Sequence, residues 1–197
     1  MCPLKRMKIT FARRRFAPSS TRYNANVRPQ DVVEPLVSPV QMEKTWQAVG
    51  AMDEGEIKRR QKLCGKEQEE LTAFMLAYLS DVEPEAMGLA LYEHLVVVEA
   101  FRRSGAQFRK LKVNRIENTW KDNFGFVNDL RAAGRPRAPF QLDPGLSSEP
   151  AVMQYVIDAL TEENEDDPIP ISDNDFWRIL HVLKTVTDCM HSAQRTR

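Results

Sequence analysis

His94 is a candidate catalytic or metal-binding residue, because of its type and its surroundings. It stands in a long apolar run, on the most apolar side of the helix that this run predicts. A buried histidine can serve as a general base or a metal ligand, but a ligand needs carboxylates or histidines beside it on facing helices. No Glu-x-x-His pattern occurs in the chain, and Glu93 points away from His94 on the helical wheel. The pattern therefore favours a core histidine that is hydrogen-bonded to a backbone carbonyl or a tyrosine.

The run "DCMH", residues 188–191, places a carboxylate, a thiol and an imidazole within one helical turn. Three ligand types so close together would suit a transition metal. A coordination sphere needs a second cluster to complete it, and the sequence offers none. The spacing favours a solvated helix end, where His191 lies near the negative end of the helix dipole. A metal-binding or enzymatic bundle centred on His94 or His191 remains the third of three functional alternatives.

The other chemical motifs point away from an active site. The run "EENEDD", residues 162–167, has five acids but lacks the alternation and central glycine of a calcium loop, which favours a solvated acidic loop. Cys2, Cys64 and Cys189 are too far apart for a zinc ribbon or a disulfide framework. Phosphate-binding, dinucleotide-binding and nucleophile-elbow patterns are missing from the sequence. We therefore predict no enzymatic activity, no metal and no cofactor, and we identify no small-molecule substrate.

Two basic segments raise the alternative of a nucleic-acid-associated subunit. One lies near the N-terminus and the other spans residues 101–115, where six basic residues surround two phenylalanines. Charge that follows phosphates and rings that stack on bases suit single-stranded nucleic acid. On a continuous helix, however, the basic residues of 101–115 would spread around most of the wheel, which weakens a binding face. The candidate contacts are Arg13, Arg14, Arg15, Arg109, Lys110 and Lys112.

Charge alternates in four blocks along a chain whose net charge is zero. Residues 1–40 have eight basic and two acidic side chains, residues 41–99 six and twelve, residues 100–140 ten and three, and residues 141–197 four and eleven. Two interpretations stay open. Opposite blocks face one another within the fold or across a dimer, or one basic face meets a polyanion. The zero net charge favours the first, because a nucleic-acid-binding domain is usually positive overall.

The sequence pattern predicts that these candidate residues lie on helices or between them. Apolar residues recur at three- and four-residue steps in residues 66–80, 113–131, 149–163 and 172–190. Between them, residues 84–103 predict a helix that is apolar all round and therefore central, although "LVVV" could also be a buried strand. No partner strand is evident. The predicted fold class is all-α, a single bundle of five to six helices.

Helix boundaries follow from capping residues. Ser172, with Asp175 three residues later, gives the clearest start, and Ile171 is expected to pack on Phe176 as a hydrophobic staple. Ser148 is the predicted N-cap of the preceding helix. Gly65 is expected to divide two short helices.

Proline and glycine content defines the domain organisation. Residues 1–40 form a basic, proline-rich arm, extended or disordered, ahead of a helical domain at 41–197. Within that domain we expect a first helical group at 41–133, a connector at 134–147 and a C-terminal helical pair at 148–197. No stretch is apolar enough to span a membrane, and the predicted localisation is cytoplasmic. An arginine-rich start without acids also fits an organelle transit peptide, and Met7 is an alternative start.

The sequence therefore predicts a non-enzymatic interaction protein, an adaptor or assembly subunit that docks through helix faces and charge blocks. A protein partner or a homo-oligomer is expected, with nucleic acid as the alternative partner and no membrane. Some apolar residues lie off the main helical stripes and are candidates for partner contact, unless a larger core absorbs them. These are Leu76, Met153, Ile157 and Trp177.

Overall fold

The chain is all-helical in the residues that the structure, a computed structural model, describes: 34–132, 147–161 and 171–194. This confirms the predicted fold class, with seven helices in these ranges rather than five or six. They are α1 (Pro39–Gly50), α2 (Glu54–Glu67), α3 (Glu69–Tyr78), α4 (Pro84–Arg103), α5 (Val113–Ala132), α6 (Pro150–Thr161) and α7 (Asp173–Ser192). Residues 1–33 of the predicted arm at 1–40, the acidic run at 162–167 and most of the 134–147 connector lie outside the described residues.

Helix α1 was not singled out by its apolar spacing. It begins at Pro39, after Ser38, whose side-chain oxygen accepts a hydrogen bond from the backbone N–H of Gln41 at 3.2 Å. A serine cap followed by proline is a regular start of a helix. Just before it, Val37 is 1% exposed and belongs to the core. The ordered domain therefore begins before residue 40, where the arm was expected to end.

Helices α2 and α3 meet at Gln68 and not at Gly65. Gly65 lies within α2, and Gln68 has a non-helical backbone that ends α2 and begins α3. The side chain of Gln68 is buried and bonds elsewhere, to the segment that follows α4. A polar residue with tertiary partners thus sets the break, while the glycine in the neighbouring turn stays helical.

Helices α4 and α7 form the centre of the bundle. In each, more than half of the residues are buried. The "LVVV" run, residues 95–98, is helical and buried on all sides, since α1, α2, α6 and α7 all pack against α4. Ser172 is confirmed as the N-cap of α7, where its side chain accepts from the Asp175 N–H at 3.0 Å. Ile171 and Phe176 are both buried beside it.

The remaining helices cover this centre. Helix α5 lies chiefly along α7, and α3 contacts both α5 and α7. Helix α6 packs against α7, α1 and α4. In the described ranges, no helix combines the length and apolar character that crossing a bilayer requires.

Candidate functional site

An aromatic seam lies between α3 and α5. Its rings are Phe74 and Tyr78 on α3 and Trp120 and Phe124 on α5. The Trp120 ring centre lies 5.4 Å from that of Phe74 and 4.5 Å from that of Tyr78. Phe74 and Tyr78 are 4.6 Å apart, and Phe124 follows Trp120 by one helical turn. These four residues are called the aromatic seam below.

Two rings of the aromatic seam face outward. Tyr78 is 42% exposed and Phe124 is 57% exposed, while Phe74 and Trp120 are half-buried and pack against the core. Single exposed apolar residues are common on protein surfaces, but contiguous aromatic rings are typical of binding surfaces. Tyrosine, tryptophan and phenylalanine are enriched at protein interfaces. The aromatic seam is therefore the feature of this surface that most resembles a contact site.

His181 on α7 packs against Trp120 of the aromatic seam. Its ring stacks on Trp120 with centres 3.4 Å apart and planes 11° from parallel, and its Nε2 lies 3.0 Å from the Trp120 carbonyl oxygen. Burial lowers the pKa of His181, opposed by the hydrogen bond to that carbonyl. The imidazole is therefore neutral near pH 7, and Nε2–H donates to the carbonyl. Stack and hydrogen bond together fix the Trp120 ring in one orientation.

Acidic residues flank the aromatic seam. Glu70 precedes Phe74 by one turn and Glu117 precedes Trp120 by one turn, and both carboxylates are exposed. These two glutamates are called the acidic rim. From residue 67 to residue 101 the sequence contains eight acids and neither a lysine nor an arginine. The surface around α3 thus combines exposed rings with an excess of negative charge.

The four residues expected at partner contacts occupy different environments. Met153 and Ile157 are fully buried in the core, so a folded chain does not present them. Trp177 is half-buried against the core, 5.0 Å from the Phe176 ring. Leu76 is 42% exposed, but on the other side of α3 from the aromatic seam. Only Leu76 of the four thus presents a largely exposed side chain.

His94 lies at the wall of a pocket of about 580 Å³. Its side chain is 5% exposed, and no hydrogen bond joins it to a described residue. Burial lowers the pKa of His94 to about 4, so the ring is neutral near pH 7. The sequence correctly indicated a buried histidine, but the expected backbone carbonyl or tyrosine partner is not seen in the described part of the chain.

The two described cysteines are poor nucleophiles. Burial raises the pKa of Cys64 to about 11 and the pKa of Cys189 to about 11. A reactive cysteine needs the opposite shift, because the thiolate is the attacking species. Cys64 lines the same pocket as His94, with its thiol protonated near pH 7. His94 and Cys64 are thus two neutral groups in this pocket rather than an activated pair.

His191 does not join Asp188 and Cys189 in a common site. Its Nδ1 lies 2.7 Å from the fully buried carboxylate of Glu149, which also accepts the backbone N–H groups of Leu36 and Val37 at 2.8 and 3.1 Å. Asp188 instead pairs with Lys184 at 2.5 Å. Within the described ranges, no group of three His, Cys, Asp or Glu side chains is arranged to hold a metal ion.

The second basic segment lies mostly between helices rather than on one. Helix α4 ends at Arg103 and α5 begins at Val113, so Arg109, Lys110 and Lys112 lie on the connection between them. All three side chains are exposed, and none forms an ion pair with a described residue. Because they lie outside the helices, these basic residues are not spread around a helical wheel. Arg13, Arg14 and Arg15 lie outside the described residues.

Gln68 holds this connection against the bundle. Its amide nitrogen donates to the Arg109 carbonyl at 3.0 Å, and its amide oxygen accepts the Leu111 N–H at 3.1 Å. On the other side, the Arg109 N–H donates to the Ala193 carbonyl at 2.8 Å, beside an antiparallel bridge between Phe108 and Gln194. Residues 108–111 are therefore fixed between the start of α3 and the end of α7.

Comparison with known proteins gives no relative from which a function could be inferred: no protein-family model, curated protein or solved structure shows a significant match to this chain.

Sequence reasoning missed three buried polar residues with tertiary roles. Glu149, Gln68 and Glu93 are each at most 8% exposed, although their residue types are usually on the surface. Glu149 left a partial signal, since it directly precedes Pro150 at a predicted helix start. Glu93 lay in the apolar run that identified His94. Gln68 left none, because its partners are backbone groups more than 40 residues away.

Proposed function

We propose that this protein is a non-enzymatic interaction subunit that binds an arginine-containing basic segment of a partner protein on the aromatic seam and acidic rim. The observation that carries the proposal is the outward exposure of Tyr78 and Phe124, each two turns along its helix from an exposed carboxylate, Glu70 on α3 and Glu117 on α5. Residues 67–101, which include α3, contain no lysine or arginine, whereas α5 also carries Lys121. Aromatic rings give a contact its affinity, and the acids select a positive partner.

Arginine suits this surface better than lysine does. A guanidinium group is planar and weakly hydrated, so it stacks on an aromatic ring while still pairing with a carboxylate. Tyr78 presents a ring for stacking, and Glu70 lies on the same helix two turns earlier. The fixed Trp120 below reduces the entropy lost on binding, because its ring is already oriented.

The chain's own N-terminal sequence provides a probe of the right chemistry. Residues 7–20, MKITFARRRFAPSS, contain three consecutive arginines between two phenylalanines and no acid. A fluorescein-labelled peptide of this sequence is titrated with the full chain at low and at physiological salt. The full chain is used in the form R13A/R14A/R15A, so that its own arginines do not compete with the probe.

Binding of the peptide should depend on the aromatic seam and the acidic rim. We expect Phe124→Ala and the double change Glu70→Lys/Glu117→Lys each to weaken it about tenfold, the effect of roughly 1.4 kcal/mol. Val40→Ser removes an apolar side chain that is 65% exposed on α1 and should leave the affinity unchanged. Equal weakening by all the variants, or by none, would refute the proposal.

The nucleic-acid alternative is favoured by one observation, the exposure of Arg109, Lys110 and Lys112 without acidic partners among the described residues. The same titration with a labelled single-stranded oligonucleotide separates the two functions. Binding through phosphates falls steeply with salt and is lost in R109A/K110A/K112A, whereas changes in the aromatic seam leave it intact.

A further inference from the structure

The pocket beside His94 is bounded by four parts of the bundle. These are the α2–α3 junction, the middle of α4, the segment after α4 and the last turn of α7. Its volume, about 580 Å³, lies within the range of small-molecule sites. Because Gln68 bonds the segment after α4 in place, the outer wall is held by hydrogen bonds on both edges. The cavity is thus part of the fold rather than a gap between loose segments.

The floor of the pocket is apolar, apart from two polar groups that have no hydrogen-bond partner among the described residues. Cys64, Val98 and Met190 are each at most 4% exposed and supply the apolar surface. The imidazole of His94 has no hydrogen-bond partner among the described residues, and the hydroxyl oxygen of Thr72 is buried without one. A buried polar group without a partner destabilises the folded chain, so a ligand that bonds to it recovers stability. Apolar walls with a few converging polar groups are typical of ligand sites.

The rim of the pocket is positive. Lys66 and Lys110 are exposed at its edge and form no ion pair with a described residue. Arg102 is also there, with one amine nitrogen bonded to Glu99 at 2.8 Å and the other to Glu67 at 2.7 Å. Glu67 and Glu99 together offset two of these three cations, so the pocket entrance keeps a net charge of one positive unit, carried by the lysines.

We infer that this pocket binds a small organic anion, with an apolar or aromatic body against Cys64, Val98 and Met190 and an acidic group between Lys66 and Lys110. His94 and Thr72 bond to a polar atom of the body. The neutral imidazole suits this position, since a positive ring would have to be desolvated together with the ligand. The site is separate from the aromatic seam, and the inference does not rest on the proposed interaction with a basic segment.

The test uses 1-anilinonaphthalene-8-sulfonate, an aromatic monosulfonate whose fluorescence rises in apolar surroundings. Titration of the full chain at pH 7.5 should give one saturable site. N-phenyl-1-naphthylamine, which has the same rings without the sulfonate, should bind at least tenfold more weakly. The chain without the probe should show the near-ultraviolet circular dichroism of fixed aromatic side chains, because the probe is expected to fill a formed pocket and not to collect on a loosely packed chain.

Variants place the acidic group of the probe. Lys66→Glu/Lys110→Glu should weaken binding at least tenfold. Lys44→Glu/Lys58→Glu makes the same change of charge at exposed positions away from the pocket and should have less than a twofold effect. Phe124→Ala, in the aromatic seam, should also leave binding unchanged. Equal loss in both lysine pairs, or loss in Phe124→Ala, would overturn the inference.

Cysteine protection places the body of the probe. Cys64 lines the pocket, whereas Cys189 is equally buried outside it. Saturating probe should slow alkylation of Cys64 by N-ethylmaleimide at least fivefold and leave the rate at Cys189 unchanged, as followed by peptide mass spectrometry. Unchanged alkylation of Cys64 at saturation would refute binding at this site, whatever the fluorescence signal.

Discussion

Single buried polar residues decide much of the chemistry of this chain. Glu93, on α4, has a fully buried carboxyl group that lies near the hydroxyl of Tyr155. Burial raises the pKa of Glu93 to about 8, although the Tyr155 hydroxyl on α6 acts in the opposite direction. The side chain is therefore mainly protonated near pH 7. His94, the next residue, is also neutral, so the centre of the bundle accommodates two titratable groups without charge.

The raised pKa of Glu93 predicts a specific dependence of stability on pH. Because the folded state holds the proton more tightly than the unfolded state, the contribution of Glu93 is fully present below pH 4.5 and is lost as the pH rises through about 8. Glu93→Gln removes this titration. The free energy of unfolding of the variant, relative to the native protein, should therefore improve by about 4 kcal/mol between pH 5 and pH 8.5.

Urea unfolding at the two pH values measures this difference. Glu85→Gln is the matched control, since Glu85 is exposed on the same helix and should show almost no change. If the difference in the free energy of unfolding between Glu93→Gln and the native protein stays constant from pH 5 to pH 8.5, Glu93 is ionised in the folded state over this range.

At the scale of helices, local signals predicted most of the fold. Proline at the start of α4, the Ser172 cap of α7 and the apolar period of α5 are each properties of neighbouring residues. Helix α1 was missed because its cap stands among prolines that also mark an arm. The break at Gln68 was misplaced to Gly65, since its cause is a pair of hydrogen bonds to residues far along the chain.

The candidate sites also divide into those that neighbouring residues reveal and those that depend on residues far along the chain. His94 could be predicted as buried from the apolar residues around it. The aromatic seam could not, because it joins α3 to α5 and the sequence does not reveal which helix faces lie side by side. Met153 and Ile157 lie off the main stripe of α6 yet are buried, since α6 packs against α7, α1 and α4. A helix with several neighbours buries more than one stripe.

Gln68→Ala tests the link between the α2–α3 junction and the segment after α4. The change removes two buried hydrogen bonds and leaves the Leu111 N–H without its acceptor, so we expect a loss of about 2 kcal/mol in the free energy of unfolding. Hydrogen exchange at the Leu111 amide should accelerate more than exchange in α7. Gln47→Ala, which removes an exposed bond to Glu43, should have little effect. Uniform acceleration across the domain would contradict a local role for Gln68.

Across the described part of the molecule, a basic and an acidic charge block meet at one ion-pair network, around Arg102. Arg102, from a basic block, bonds to Glu99 and Glu67 of the acidic block before it, and Arg60 also approaches Glu99 at 3.5 Å. The Glu99 carboxylate is 3% exposed, so this network is a packed part of the bundle. These contacts agree with opposite blocks facing one another. They leave the acidic rim and the basic residues at 109–112 without partners in the described ranges.

The N-terminal arm is the remaining basic block, and the contacts of Leu36 and Val37 show that the helical domain includes these two residues. Leu36 and Val37 donate their backbone N–H groups to Glu149, and Val37 is buried in the core. Removing residues 1–30 leaves these contacts in place. We therefore expect the shortened chain to keep its helix content and to change its free energy of unfolding by less than about 1 kcal/mol, since no described core residue is lost.

Partner binding should respond differently to the same deletion. If the arginines at 13–15 occupy the aromatic seam of their own or a neighbouring chain, their removal should strengthen binding of the labelled 7–20 peptide and abolish any self-association seen in sedimentation at low salt. The R13A/R14A/R15A variant should reproduce both effects with the full length of the arm. Circular dichroism and urea unfolding of the shortened chain are the control measurements. If the deletion lowers the helix content as well as changing peptide binding, the arm is part of the core.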